Sequence, residues 1–283
     1  MSAPGLLQPL TYLFVPGNRP ERFAKALAAG ADRVILDLED AVAPADKAAA
    51  RDAIARWMAH AGGEREKVLI RINDSAAECY GADVALVASA VPSCVMLPKC
   101  ESAGQVARLL AALPNTTSVL PLIETARGML ALQEIAQAKG VVRLGFGAID
   151  YMADLDIPAD SPALDYAAAQ LAIASRAVGL ASPVAGVTPD LDAAKVSADM
   201  AHARSLGFGA KMCIHPAQVA AVRAALAPSA QELAWAERVL QVWNAGTGGA
   251  IQVDGKMVDR PVILRAERIV EQAGLIALRF VTP

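Results

Sequence analysis

Between residues 11 and 227, short apolar runs rich in β-branched side chains alternate eight times with alanine-rich stretches. That alternation constrains the fold more than any other feature of the chain. The strand-like runs are 11–15, 33–38, 68–72, 94–98, 118–123, 142–146, 183–187 and 210–214. The helical stretches between them fall near 19–29, 45–59, 81–90, 101–113, 126–138, 162–179, 191–206 and 216–227. Eight strand–helix units in strict order predict an α/β fold, the (β/α)8 TIM barrel. The 283 residues suit one such barrel of roughly 250 residues with an appendage. A doubly wound sheet is the runner-up, but Gly145-Phe146-Gly147 opens a G-x-G-x-x-G pattern that Asp150 then breaks.

After Pro228 the pattern changes, which divides the chain into a catalytic barrel, 1–228, and a C-terminal segment, 229–283. A further helix over 231–243 leads into a glycine-rich stretch, 244–249, with the composition of a hinge. Asp254-Gly255 between two short apolar runs signals a hairpin, and Pro261 opens a last helix to about Gln272. The segment reads as a helical and hairpin lid or arm, too short for a core of its own.

Apolar residues make up 55% of the chain, enough for a large core. The most apolar long window, 167–187, is interrupted by Arg176 and by Ser182-Pro183, so no membrane span is expected. Residues 1–10 carry no basic region or apolar core of a secretory signal, which leaves a cytoplasmic location as the expectation. A formal charge of −3 without blocks of one sign argues against nucleic acid as a partner. Cys79, Cys94, Cys100 and Cys213 form no C-x-x-C pair, so neither a zinc ribbon nor a disulfide framework is indicated. Cys213-Ile214-His215 has no further soft ligand nearby in sequence, and His215 reads as a hydrogen-bonded structural residue.

The chemistry concentrates where strands end. In a parallel α/β fold the residues past the strand C-termini face the ligand crevice. Two consecutive apolar runs lead to carboxylates, Glu124 in Ile123-Glu124-Thr125 and Asp150 in Gly147-Ala148-Ile149-Asp150. Two carboxylates with nearby glycines suit a hard divalent cation that keeps waters and a substrate oxygen. Asp37-Leu38-Glu39-Asp40, Arg71 and Lys99 extend this into a ring of charge, costly inside a barrel mouth unless paired, metal-bound or solvated. Arg71 is the candidate clamp for a substrate carboxylate, since its planar fork binds one in two places. Lys99 reads as a neutraliser of its neighbours. Arg19 and Arg22 stand at the head of the first helix, where a phosphate could be held. From spacing alone, an ordinary turn with solvated arginines explains them as well.

Taken together, the motifs resemble the citrate lyase beta-subunit family, which includes malyl-CoA and citramalyl-CoA lyases. The resemblance runs from Tyr12-Leu13-Phe14-Val15-Pro16-Gly17-Asn18-Arg19-Pro20 through Val34-Ile35-Leu36-Asp37-Leu38-Glu39-Asp40, with Lys47 and Arg51. It continues at Arg71-Ile72-Asn73, Leu97-Pro98-Lys99, Leu122-Ile123-Glu124-Thr125-Ala126, Phe146-Gly147-Ala148-Ile149-Asp150-Tyr151 and Lys211-Met212-Cys213-Ile214-His215-Pro216. It implies Mg2+, with Mn2+ as an alternative, on Glu124 and Asp150. Arg71 would bind the substrate, Glu39 and Asp40 would hold metal-bound waters, and Gly147 and Ala148 would contact substrate. Arg19 and Arg22 would lie near the nucleotide of coenzyme A, which forms part of the substrate. Asp259, within Gly255-Lys256-Met257-Val258-Asp259-Arg260-Pro261, would be the acid/base and would reach a neighbouring subunit's site in a homo-oligomer, a trimer or hexamer.

Three reactions follow as expectations. One is a Claisen-type lyase on a 3-hydroxyacyl-CoA thioester, yielding an acyl-CoA and an α-keto acid. A second is a metal-dependent aldolase of free keto acids, which would need neither the arginine pair nor the tail. The third is the lyase subunit of a citrate lyase complex, taking citryl groups from an acyl carrier protein.

Overall fold

The computed structural model describes residues 8–245 and 251–281 and divides the chain into two compact units, Met1–Arg223 and Ala224–Pro283. The division falls a few residues before the expected boundary, inside the helix Ala217–Leu226.

The first unit is a closed barrel of eight parallel strands in sequence order, so the (β/α)8 TIM barrel is the observed fold. Its first half is β1 (Thr11–Pro16), α1 (Phe23–Ala28), β2 (Arg33–Asp37), α2 (Lys47–His60), β3 (Val68–Arg71), α3 (Tyr80–Ala90), β4 (Cys94–Leu97) and α4 (Ala103–Ala111). The second half is β5 (Ser118–Ile123), α5 (Ala126–Leu130), α6 (Leu132–Gln137), β6 (Gly145–Phe146), α7 (Ala148–Leu155), α8 (Pro162–Ala177), β7 (Val184–Ala185), α9 (Ala193–Ser205), β8 (Ala210–Cys213) and α10 (Ala217–Leu226). Pairing of β1 with β8, Thr11 opposite Lys211, closes the sheet. Alternate strand residues fill the interior: Tyr12, Ile35, Leu69, Met96, Leu120, Leu122, Val184, Ala210 and Met212 pack as one cluster. The intervening residues face the helices. This core closes the barrel below the strand C-termini and leaves the ends of β2, β3 and β5 to present their charges upward.

The barrel departs from the sequence reading where it is least regular. The runs 142–146 and 183–187 contract to two-residue strands, and the stretch 126–138 breaks at Ala131 into α5 and α6. The reading missed α7 altogether. Gly147 ends the strand and Ala148 begins a helix at once, so Asp150 sits in the first helical turn rather than in a loop. A carboxylate there is favoured by the free N–H groups of the helix N-terminus.

The second unit holds α11 (Ala230–Ala245), a hairpin of β9 (Ile251–Val253) and β10 (Lys256–Val258), and α12 (Arg260–Val281). The hairpin forms where Asp254-Gly255 signals it, with both residues at positive φ, 49° and 75°. That is the geometry of a two-residue primed turn. The last helix runs past the expected end near Gln272. Contrary to the expectation for so short a tail, this unit has its own core: Ala236, Val239, Val253, Val258, Ile263, Ala266 and Ile269 are buried together, with Trp235 and Trp243 against them. Two amphipathic helices and a hairpin give three apolar faces that cover one another, which a count of residues does not reveal. Of the proposed hinge, 244–249, Asn244 and Ala245 instead complete α11, and 246–249 lie outside the described residues. Among the described residues, no helix is long and apolar enough to cross a membrane.

Candidate active site

The β2 and β3 ends meet first. Asp37 and Arg71 are the last residues of their strands and are register partners, so their side chains emerge side by side. Arg71 Nε and Nη2 each donate to an Asp37 carboxylate oxygen at 2.7 Å. Asp37 also accepts the Glu39 N–H at 2.9 Å and the Ala41 N–H at 3.1 Å, which curls the following loop over the strand end. Arg71 Nη1 lies 2.7 Å from Glu39 Oε2 and 3.4 Å from Asp40 Oδ2, and the guanidinium stacks over Phe14, 4.7 Å from the ring centre. The bidentate edge of Arg71 is thus taken by Asp37, which the sequence reading placed in the charged ring without a role. Asp37 and Arg71 are both buried, whereas Asp40 is largely exposed.

Glu39 joins this cluster to the next strands. Its Oε1 accepts from Lys99 Nζ at 2.9 Å, while Oε2 is buried without a hydrogen bond, off the N–H directions of Arg71. Lys99 Nζ also comes within 3.9 Å of Asp150 Oδ1. It neutralises neighbouring carboxylates, as the sequence reading has it. Lys99 holds a backbone φ of +45°, sparsely populated for a side-chain-bearing residue. This turns its N–H onto Glu124 Oε1 at 2.7 Å.

Glu124 is 1% exposed, at the end of β5. Burial, with the nearby charges of Glu39 and Asp150, pushes its carboxyl up to about 8. Burial likewise raises Glu39. The other Glu124 oxygen looks toward Gly147, where an added Cβ would sit 2.1 Å from Oε2; only glycine fits. Asp37, Asp40, Arg71, Glu124, Gly147, Ala148 and Asp150 line a cavity of about 350 Å³ whose other side is apolar: Phe14, Leu122, Val187, Met212 and Ile214.

These residues fit a hard divalent cation. Glu124 and Asp150 supply two oxygen donors on one cavity, the fixed Lys99 N–H leaves Glu124 Oε2 free to ligate, and the buried orphan oxygen of Glu39 could accept from a coordinated water. Among the described residues no group of three or more acidic, His or Cys side chains could enclose an ion. Two carboxylates with the remaining positions open is the pattern of an ion that also binds substrate.

The matching family model covers residues 10–216 and is described as HpcH/HpaI aldolase/citrate lyase. The chain belongs to the HpcH/HpaI aldolase/citrate lyase family. A citrate lyase subunit beta-like protein of Mycobacterium tuberculosis is 39% identical over 270 residues, 93% of this chain and 95% of its own. A (3S)-malyl-CoA thioesterase of Cereibacter sphaeroides is 31% identical over 271 residues, covering 94% of each chain. Among solved structures, protein CitE from M. tuberculosis in complex with magnesium, acetoacetate and coenzyme A superposes with a TM-score of 0.85 at 37% identity, over 95% of this chain and 100% of that one. Membership places the chain among carbon–carbon lyases.

Within the first unit, Arg19 and Arg22 are not among the residues that line the cavity. Arg19 and Arg22 are in the loop after β1; Arg19 Nε bonds Glu21 at 2.6 Å and Arg22 Nε lies 3.8 Å from the same oxygen, with all three side chains about half exposed. Asp259 is in the second unit, where it accepts the Val262 N–H at 3.4 Å as a cap on α12. Sequence reasoning missed a support behind the acidic loop. Lys47 Nζ donates to the Leu38 and Glu39 carbonyls at 2.8 and 3.0 Å and to Asn73 Oδ1 at 2.5 Å. Asn73 is held in turn by the fully buried Asp83, which also pairs with Arg51 at 3.0 Å. The thiols take no part: Cys94, Cys100 and Cys213 are buried, which pushes them up to about 11, 12 and 12, and only Cys79, just before α3, is partly accessible.

Proposed function

We propose that the chain is a Mg2+-dependent lyase that cleaves, or forms by Claisen-type condensation, a 3-hydroxyacyl-CoA thioester, with an acyl-CoA and an α-keto acid as the other partners. The observation that carries this reading is the cavity in which Glu124 and Asp150 face Arg71 across about 350 Å³, with an apolar wall on the far side. Keto-acid carboxylate and adjacent oxygen match the polar half, and the carbon substituent matches the apolar half. The related CitE structure with magnesium, acetoacetate and coenzyme A supports it.

In this reading Glu124 and Asp150 hold the cation, and Glu39 and Asp40 hold its waters. When bound, the ion supplies a Lewis acid for the oxygens of the hydroxy or keto acid. Arg71 turns toward the substrate through Nη1, the nitrogen that Asp37 does not bond and that lies beside Glu39 and Asp40, and Ala148 offers an N–H at the start of α7. Asp259, supplied by a second copy of the chain in a homo-oligomer, takes the hydroxyl proton. The electron pair of the C2–C3 bond then passes to the thioester carbonyl, and C2 is reprotonated to give the acyl-CoA. Arg19 and Arg22, beside Glu21, would exchange that carboxylate for the coenzyme A phosphates.

A second reading, thioester hydrolysis, is favoured by the relatives named (3S)-malyl-CoA thioesterase. Purified protein incubated with malyl-CoA, citramalyl-CoA and a citryl thioester, with Mg2+ or EDTA, separates the two by mass spectrometry. The lyase releases an acyl-CoA and a keto acid; the hydrolase releases free coenzyme A and an intact hydroxy acid. EDTA-insensitive turnover would overturn the metal assignment. Activity on a citryl carrier protein alone would assign the chain to a citrate lyase complex.

A further inference from the structure

The arc from β6 to β8 is the thinnest part of the barrel. A single registered pair, Gly145 with Val184, joins β6 to β7, and two pairs join β7 to β8. Gly186 and Val187, which follow β7, nevertheless form a wall of the active-site cavity. The hydrogen-bonded ladder therefore stops before the wall begins.

Side chains take over from the ladder. Lys211 lies between the interior-facing Ala210 and Met212 and so points outward from the barrel, yet it is 2% exposed. Its ammonium donates to the Gly186 carbonyl at 2.6 Å and to Asp199 Oδ2, on α9, at 2.8 Å. The Thr188 hydroxyl donates to the same Asp199 oxygen. Gln218 Nε2 donates to the carbonyls of Thr188 and Asp190 at 2.9 and 2.8 Å, and its Oε1 accepts the N–H of Ile214, another wall residue, at 2.8 Å. Burying an ammonium is costly unless its donors are used, and here they grip the backbone of the wall.

The wall is packed against β6 and has open space behind it. An added Cβ on Gly186 would lie 2.9 Å from the Phe146 carbonyl, so displacement toward β6 is blocked. On its outer side lies a second cavity of about 460 Å³, lined by Gly186, Val187, Asp199 and Lys211 among others. A loosened wall would retreat into that space.

We propose that Lys211, through Gly186 and with Asp199, Thr188 and Gln218, is a positioning residue that fixes the depth of the Gly186–Val187 wall and so sets how sharply the site separates keto acids by the size of their carbon substituent. The size discrimination rests on the lyase reading; the bracing of the wall does not. A fitted apolar wall separates one methyl or methylene by roughly 10- to 200-fold.

The test is Lys211→Met in the full-length protein, read in two ways. In metal-free protein, hydrogen exchange at the amides of Gly186, Val187, Thr188 and Asp190 should quicken at least tenfold while that at 37–41 stays unchanged. In condensation with an acyl-CoA, the ratio of kcat/KM for glyoxylate and pyruvate should fall at least fivefold, through KM, with Mn2+ affinity within twofold of wild type. A folded variant with unchanged exchange at these wall amides overturns the brace, and an unchanged ratio overturns its role in selectivity. If Lys211→Met does not melt cooperatively, Asp199→Asn carries the same two readouts, and wild-type values in both overturn the proposal. Should the wild type condense neither acid, the lyase reading fails and the exchange result alone decides the brace.

Discussion

Gly147 and Asp259 are the residues on which the proposed chemistry turns most sharply. Gly147→Ala would drive a methyl group to 2.1 Å from Glu124 Oε2, so either the carboxylate or the start of α7 must shift. The expected outcome is Mg2+ affinity weakened at least tenfold with the barrel still folded, checked by Mn2+ titration and thermal melting. Asp259→Ala should instead collapse turnover by 10²-fold or more while leaving metal affinity intact, within the usual range for a general acid–base group. Unchanged turnover would remove Asp259 from the mechanism. At this scale the sequence is informative about residue types and silent about pairings. Glu124, Asp150 and Arg71 announce themselves because a charged residue after an apolar run has few structural explanations. Asp37 as the clamp on Arg71 does not, because it follows from the register of β2 against β3, which no local pattern specifies.

Among the elements, the β2–α2 connection shows how a loop is made rigid enough to hold Glu39 and Asp40. Lys47 opens α2, a position where the helix dipole disfavours a cation. Its bonds to two carbonyls and to Asn73 outweigh that penalty. Lys47→Met should destabilise the protein by about 2 kcal/mol, since the carbonyls it served are left partly buried. It should also lower kcat about tenfold as the loop loosens; urea unfolding and steady-state kinetics check both. Neither Lys47 nor Asp83 is legible beforehand as a support, because a lysine or aspartate in the first turn of a helix ordinarily reads as solvated. Helix α7 was hidden for a related reason: its apolar residues follow β6 with no polar linker, so the strand and helix periods merge. The hairpin was legible because Asp-Gly demands a backbone geometry that few other pairs accept.

For the whole molecule, the cluster of Glu39, Glu124 and Asp150 makes stability depend on pH and on metal. Glu124 titrates near 8 in the folded protein and near 4.5 as an unperturbed carboxyl. Between those values the unfolded chain has released a proton that the folded chain still holds, so metal-free stability falls as pH rises, by up to about 1.4 kcal/mol per unit from this group. Above 8 the loss levels off. A divalent cation replaces the proton, so the Mg2+-induced rise in Tm should be larger at pH 8.5 than at pH 5.5. Calorimetry with and without EDTA checks this, and a metal effect that shrinks as pH rises would contradict the assignment of Glu124. The barrel itself was legible because eight repeats of one local pattern admit few other closures. The independent core of the C-terminal unit was not, because it depends on how two helices and a hairpin fold back on one another.

The burial of three of the four thiols turns the natural sequence into a ready-made probe. Near neutral pH a maleimide dye or spin label reacts through thiolate, so it should attach at Cys79 and spare the others. Cys79 sits in the connection between β3 and α3, on the same rim as the charged cluster. A single reporter can therefore be placed at the mouth of the barrel without any substitution, and its fluorescence or mobility would follow substrate arrival in real time.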